Sequence, residues 1–471
     1  MLESYPISFS LETICGIIKC IKAQAHWLAR SGSLDRQLGE RGDAMHDLTF
    51  ITILLCILVA AAISRRIQGT ILTLPMVYTL LGLLGGRLLL DFIRIGPDSE
   101  VVRLLAEVAL VLVLASDASR ISLRSLARDH NLPMRLLLIG LPLTMVLGTL
   151  VAAGMFNTLG FWGAAILGVL LSPTDATLGQ AVVSNPKVPA RIRQTLNIES
   201  GMNDGLAMPF LLLAIAMAVA TENLEFGIAP FLGHAALTIV LGVLAGGLVA
   251  VLGVLFVELG HSRGWMSEKF EKISLLALIF LAYAVAELVG GNGFVAAFCF
   301  GIVSGNRINP EVGGTLYEHV EVEISLLLLL TFLIFGAVLL PPALTALTPM
   351  MALYAFISLT LVRMVPVAIS LIGSRVRPVT TLFLGWFGPR GIASILYIYI
   401  VLDAEGLEVK STIYSVTMIT VFFSIFAHGA TAVPLANWYG KLMADRGIVQ
   451  PDAAEHFEVT ELPLRSKPRT R

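Results

Sequence analysis

The sequence predicts an all-α polytopic membrane protein, and three observations carry that prediction. First, 56% of its 471 residues are hydrophobic and only 14% are charged, against roughly 45–50% and about 25% in soluble globular chains. Second, about thirteen apolar stretches approach the roughly 20 residues that a spanning helix needs, and none alternates like a lipid-facing strand. Helices are then the form that satisfies the backbone in hydrocarbon. Third, two of those stretches are interrupted by Pro and Gly set among polar residues, a pattern tolerated at membrane depth only where backbone packs on protein or lines a cavity.

The stretches are 47–64, 70–90, 101–118, 133–156, 160–183, 195–220, 228–257, 271–289, 292–305, 321–341, 345–373, 378–402 and 411–437. Lys and Arg set their orientation. The odd-numbered connections hold Arg65, Arg66, Arg120, Arg124, Arg128, Arg135, Lys187, Arg191, Arg193, Arg263, Lys269, Lys272, Arg307, Arg375 and Arg377, and the end of the chain is basic too. The even-numbered ones hold only Arg87, Arg94, Arg103 and Lys410. This places the odd connections and the C-terminus in the cytoplasm and the start of the first span outside, in a multi-pass protein of the cell inner membrane.

Residues 1–46 contradict that orientation, because Lys19, Lys22, Arg30, Arg36 and Arg41 would lie on the outer side. Their one apolar stretch is short and broken by Lys19, a poor signal peptide, and translation is expected to begin at Met45. Residues 47–440 then form one membrane domain, and 441–471 a short cytoplasmic tail. The formal net charge of −1 says nothing about nucleic acid, and with no Lys/Arg cluster interleaved with aromatics no nucleic-acid partner is expected. Cys15, Cys20, Cys56 and Cys299 form no CxxC pair, so neither a metal centre nor a disulfide framework is expected. No cofactor is expected beyond transported ions.

An ionisable side chain at the bilayer centre costs at least ~2.5–3.5 kcal/mol on insertion scales and marks a functional site by default. The predicted spans contain Glu107, Asp117, Asp175, Glu199, Asp204, Glu287, Arg363 and Arg390. The fifth span holds Leu171-Ser-Pro-Thr-Asp-Ala-Thr177, where Pro173 removes a backbone donor and disfavours helix at Ser172. Freed carbonyls beside Asp175 suit a hard cation; a bare proline kink would not need the aspartate. The sixth span holds Glu199-Ser-Gly-Met-Asn-Asp-Gly205. Four-residue spacing puts Ser200 with Asp204 on one face and Glu199 with Asn203 on the next. Gly201 and Gly205 form a GxxxG that admits a close helix neighbour.

Arg390, in Trp386-Phe-Gly-Pro-Arg-Gly-Ile-Ala-Ser394 of the twelfth span, is the expected partner of Glu199, because a lone buried guanidinium is costly and a carboxylate offsets much of that. Interruptions in the fifth and twelfth spans point to an inverted-repeat fold with two broken, crossing helices and the site between them. The other charges are weaker signals. Asp117 and Glu107 are candidates for an access funnel, although Asp117 could equally face the Arg120–Arg124 loop. Glu287, beside Gly290-Gly-Asn-Gly293, is expected to satisfy local backbone, and Arg363 to snorkel or pair. His234 and His428 read equally as packing residues or proton relays.

Buried carboxylates at such a crossing can hold a proton or a cation in competition, since burial and a like charge both raise a carboxyl pKa. Competition for one site, combined with alternating access, produces antiport. Asp204 is expected to carry the proton, and Asp175, Thr174 and Ser200 to complete the shell of a sodium (or lithium or potassium) ion.

Ser172-Pro-Thr-Asp175, then Glu199-Ser-x-x-Asn-Asp204, and later Gly388-Pro-Arg-Gly391 resemble the NhaP/NHE-type cation:proton antiporters. The likeness runs from about 47 to 440 and includes Gly291-Asn-Gly-Phe-Val-Ala-Ala-Phe298. It implies thirteen spans, a homodimer, an elevator-like motion of a core domain, and ion binding at Asp204 with Asp175, Thr174 and Ser200. It also implies a core ion pair at Glu199 and Arg390, and, from Asn203, electroneutral exchange of one proton per cation. Two positions depart from the family pattern: Ala176 stands where proline is usual, and Gly201-Met202 where two leucines are.

Three other functions compete, the third a passive channel, which would not need a titrating acid. A potassium/proton efflux carrier of the same superfamily commonly bears a nucleotide-binding domain, which a short tail does not supply. An intramembrane aspartyl protease, an enzyme, also places aspartates on adjacent spans, but its Gly-x-Gly-Asp signature is absent.

Overall fold

The computed structural model describes residues 37–67, 69–97, 99–121, 123, 131–222, 229–308 and 323–447. Among these residues there is no strand. The helices are α1 (Gln37–Ile67), α2 (Leu74–Gly85), α3 (Glu100–Ser119), α4 (Asn131–Met155), α5 (Gly160–Leu170), α6 (Ala176–Val183), α7 (Ala190–Glu222), α8 (Ala229–Ser262), α9 (Glu268–Leu288) and α10 (Gly293–Arg307). They continue with α11 (Glu323–Thr345), α12 (Pro349–Ser370), α13 (Pro378–Trp386), α14 (Ile392–Asp403) and α15 (Lys410–Gly447). Seven of them, α1, α4, α7, α8, α11, α12 and α15, are long and apolar enough to cross a membrane. Of the remainder, α3 and α9 are 20 and 21 residues long but more charged, the others are shorter, and four of those are the halves of the two interrupted stretches.

Helix starts follow local chemistry. Thr73 and Thr348 cap α2 and α12 through their hydroxyls, each followed by a proline in the first turn, and Asn292 caps α10 by accepting from Val295 N–H at 2.9 Å. Proline is pre-organised for that position and has no N–H to waste. α1 begins ahead of the expected boundary at 47, and α15 continues past 440. The rest of the expected extension (1–36) and of the tail (448–471) lies outside the described residues.

Packing relies on small residues where helices meet closely. On α10, a Cβ at Gly301 or Gly305 would stand 2.2 or 2.1 Å from the Ala115 or Ser119 carbonyl of α3. The Gly201–Gly205 seam of α7 is used in the same way: a Cβ at Gly205 would meet the Phe298 ring at 2.0 Å, and one at Gly201 the Asp117 carbonyl at 3.4 Å. α7 is thereby seated against α3 and α10, with its polar face toward the interruption between α5 and α6.

Candidate functional site

Non-helical backbone separates α5 from α6 at 171–175 and α13 from α14 at 387–391. The two interruptions are joined directly. Asp175 N–H donates to the Pro389 carbonyl at 2.8 Å. Its carboxylate accepts from Thr177 N–H at 2.7 Å through Oδ1 and from Ile392 N–H at 2.9 Å through Oδ2. One side chain therefore caps both α6 and α14, and its charge lies at two positive helix ends. Glycine is required opposite it: a Cβ at Gly391 would stand 2.0 Å from Asp175 Oδ2.

Arg390 serves the carbonyl side. Its Nη1 donates to the Ser172 and Pro173 carbonyls at 2.7 and 3.2 Å, and Ser394 Oγ donates to the Leu170 carbonyl at 2.8 Å. These are the groups freed where α5 stops, so a positive charge meets a negative helix end.

α7 supplies the third wall. Thr174 Oγ1 lies 3.1 Å from Ser200 Oγ, and the Asn203 amide donates to Thr174 Oγ1 at 2.6 Å. Asn203 thus joins the Ser200 face rather than sharing a separate contact with Glu199. Three residues apart is close enough for both to reach one hydroxyl. Asp204 is 5% exposed, and its carbonyl accepts from Tyr397 OH of α14 at 2.6 Å. Thr174, Asp175, Glu199, Ser200, Asn203 and Arg390 are buried as well. Among the described residues, Asn203 Oδ1 and Glu199 Oε2 accept no hydrogen bond.

The expected Glu199–Arg390 pair is corrected by the geometry. Glu199 Oε1 pairs instead with Arg363 Nη1 of α12 at 2.6 Å, both side chains almost fully buried. Arg390 is occupied by carbonyls of the other interruption, whereas Arg363 fills the space that Gly388 leaves: a Cβ there would stand 2.2 Å from Arg363 Nε. Arg363 pairs and does not snorkel.

The two funnel candidates separate. Asp117 is buried on α3, with its carbonyl against the Gly201 face of α7. Glu107 accepts from the Tyr283 hydroxyl and lines a cavity of about 140 Å³ with Arg103, Phe294, Tyr399 and Asp403. None of the interruption residues lines that cavity. Glu287 does satisfy local backbone, accepting from Gly293 N–H at 2.8 Å. His234 is exposed, while His428 is buried against the second interruption. Sequence reasoning missed Ser394, Tyr397 and Ser424, isolated small polar residues or tyrosines in apolar helices that carry no local signal.

The transmembrane sodium/hydrogen exchanger family profile matches residues 50–438. The K(+)/H(+) antiporter NhaP of Alkalimonas amylolytica is 27% identical over 392 residues, covering 81% of this chain and 64% of that protein. The chain therefore spans under two thirds of that relative's length. A Na(+)/H(+) antiporter of Schizosaccharomyces pombe is 26% identical over 73% of this chain and 80% of its own length. The fold matches that of the sodium proton antiporter MjNhaP1 from Methanocaldococcus jannaschii with a TM-score of 0.64 at 21% identity, covering 85% of this chain and 98% of that one. The relatives are transporters rather than hydrolases, and the profile covers most of the chain. This chain belongs to the sodium/hydrogen exchanger family.

Proposed function

We propose that the chain exchanges a monovalent cation for protons across a cell inner membrane, with Asp204 as the carboxylate that holds one or the other. Placement carries this reading. Asp204 is buried on α7 one turn after Ser200, whose hydroxyl meets Thr174 of the first interruption, and its carbonyl accepts from Tyr397 of the helix that follows the second. A buried carboxylate holds a proton or a monovalent cation, one for one, which supports electroneutral exchange. The exchange is assigned to Asp204 from this placement and from the Glu199-Ser-x-x-Asn-Asp204 motif. Thr174, Ser200 and Asn203 supply neutral oxygens suited to a hard cation, and Asp175 adds charge and its remaining lone pairs.

The same reading takes the fifth and twelfth spans as the crossing pair of a thirteen-span inverted repeat. The start of the first span lies outside and the C-terminus in the cytoplasm, as the Lys/Arg asymmetry favours. The exchanger domain is taken as 47–440, and the protein works as a homodimer by an elevator-like motion. Glu107 and its cavity form a vestibule on one side of the ion path, and Asp117 borders the path beside α7. Sodium is the proposed cation. Potassium is the second reading, favoured by the name of the Alkalimonas relative.

The test is proton flux in everted vesicles on addition of Na⁺, Li⁺ or K⁺, comparing the wild type with Asp204→Asn. Cation-triggered flux is expected in the wild type and none in the variant, with half-saturation falling as pH rises, because only the ionised acid binds the cation. No flux with any cation, in inserted and folded wild-type protein, overturns the proposal.

A further inference from the structure

We propose that His428 of α15 is a positioning residue for the exchange site, setting the bearing of the 387–391 interruption through two of its backbone groups. α14 begins after Gly391 with no side-chain cap of its own. The Trp386 carbonyl, which keeps only a tight-turn bond from Gly388 N–H at 2.8 Å, and the Arg390 N–H both turn to α15. The carbonyl meets His428 Nε2 at 2.9 Å, and the N–H donates to Ser424 Oγ at 2.6 Å. Ser424 and His428 are four residues apart on one helical face. Trp386 and Arg390 are also four apart, so one turn of α15 replaces the partners that a continuous helix would have supplied.

The protons follow from what each atom can do. The Trp386 carbonyl only accepts, so Nε2 carries a hydrogen. In the neutral ring Nδ1 then accepts. It faces Ser424 Oγ at 3.2 Å and the Ser424 carbonyl at 3.0 Å, and of these only the hydroxyl can donate. Ser424 therefore accepts from Arg390 N–H and passes its own hydrogen to His428, which donates onward to Trp386. Every member of this chain is satisfied, as a buried polar network requires. The Trp386 indole lies against the imidazole at a centroid separation of 4.9 Å, and its Nε1 donates to Thr431 at 3.0 Å. A ring fixed in this way is not a proton relay.

The consequence reaches the site through the backbone. Arg390 carries the guanidinium that holds the Ser172 and Pro173 carbonyls, and Pro389 accepts from Asp175 N–H. Rotation of this segment would move Asp175 and Thr174 together.

The inference rests on the proposed exchange, and two readouts keep the two apart. Hydrogen–deuterium exchange of the peptide containing 386–392 is compared in wild type, His428→Gln and His428→Leu, alongside vesicle exchange kinetics. Glutamine can donate and accept at the same end, so it should leave both readouts near wild type. Leucine should speed amide exchange in that peptide and raise the half-saturating cation concentration about tenfold, the size of one lost buried hydrogen bond, with the pH profile of the residual flux unshifted. Unchanged amide exchange in His428→Leu overturns the positioning role. So does loss of flux in His428→Gln with normal amide exchange, which would make the imidazole a proton carrier. Faster amide exchange of the peptide in His428→Leu, in protein whose wild type carries no ion flux, would uphold the positioning and sink the exchange reading alone.

Discussion

The two interruptions are built in opposite ways. The first carries its own chemistry: Asp175 caps the helix that follows it, and Ser172 Oγ donates to the Val169 carbonyl behind it. The second, Phe387-Gly-Pro-Arg-Gly391, has no side chain that caps its following helix. Its partners come from elsewhere: Asp175 for Ile392 N–H, Ser424 for Arg390 N–H and His428 for the Trp386 carbonyl. Both segments leave helical geometry in a buried setting where water cannot repair the backbone. The first supplies part of its own partners and takes the rest from Pro389, Arg390 and Ser394, while the second takes its side-chain partners from two other elements, the first interruption and α15. The second interruption is therefore conditional on tertiary structure, and substitutions far from it in sequence should loosen it first.

The largest expected effect tests that dependence at α12. Arg363→Ala leaves Glu199 buried and uncompensated beside Gly388 and should cost roughly 3–5 kcal/mol, read as a large drop in thermal unfolding temperature of the purified protein. Replacing Glu199 and Arg363 together by Leu and Met should cost clearly less than the sum of the single changes. Additive losses would show that the two charges act independently.

Next comes the group the two interruptions share. Asp175→Ala removes two helix caps at once, each worth about 1 kcal/mol. It should therefore destabilise about twice as much as Thr348→Ala, which removes the single cap of α12, and should abolish exchange. Equal losses in the two variants would mean that one of the Asp175 bonds carries no weight.

The smallest effect distinguishes the segments by sign. Gly391→Ala drives a methyl into Asp175 and should cost about 1–3 kcal/mol. Gly179→Ala, in α6 just beyond the first interruption, meets open space and should stabilise by about 0.4–1 kcal/mol. Paired unfolding curves measure both, and a destabilising Gly179→Ala would remove the contrast.

The difference between the interruptions also explains what the sequence made legible. Ser172-Pro-Thr-Asp175 announces itself because its caps lie inside the motif. The charged set was readable too, since a hydrocarbon setting admits few charges and each surviving one stands out against leucine and valine. The partner of Glu199 was not readable. Arg363 and Arg390 are both buried arginines in predicted spans, and nothing local distinguishes them. Ser424 and His428 gave even less signal, because a serine and a histidine on an apolar helix read the same whether they pack or hold a neighbour's backbone. Glu107 and Asp117 looked alike along α3, yet one lines a cavity and the other backs α7.

By itself, then, the sequence determined the solvent, the helical class, the places where helices break and the side chains too costly to bury without purpose. Each of these is a property of one short segment weighed against lipid. The tertiary structure alone decided which arginine meets Glu199, that Asp175 caps two helices at once, and that α15 supports the second break. These are distances between segments 34 to 217 residues apart, and only packing sets them.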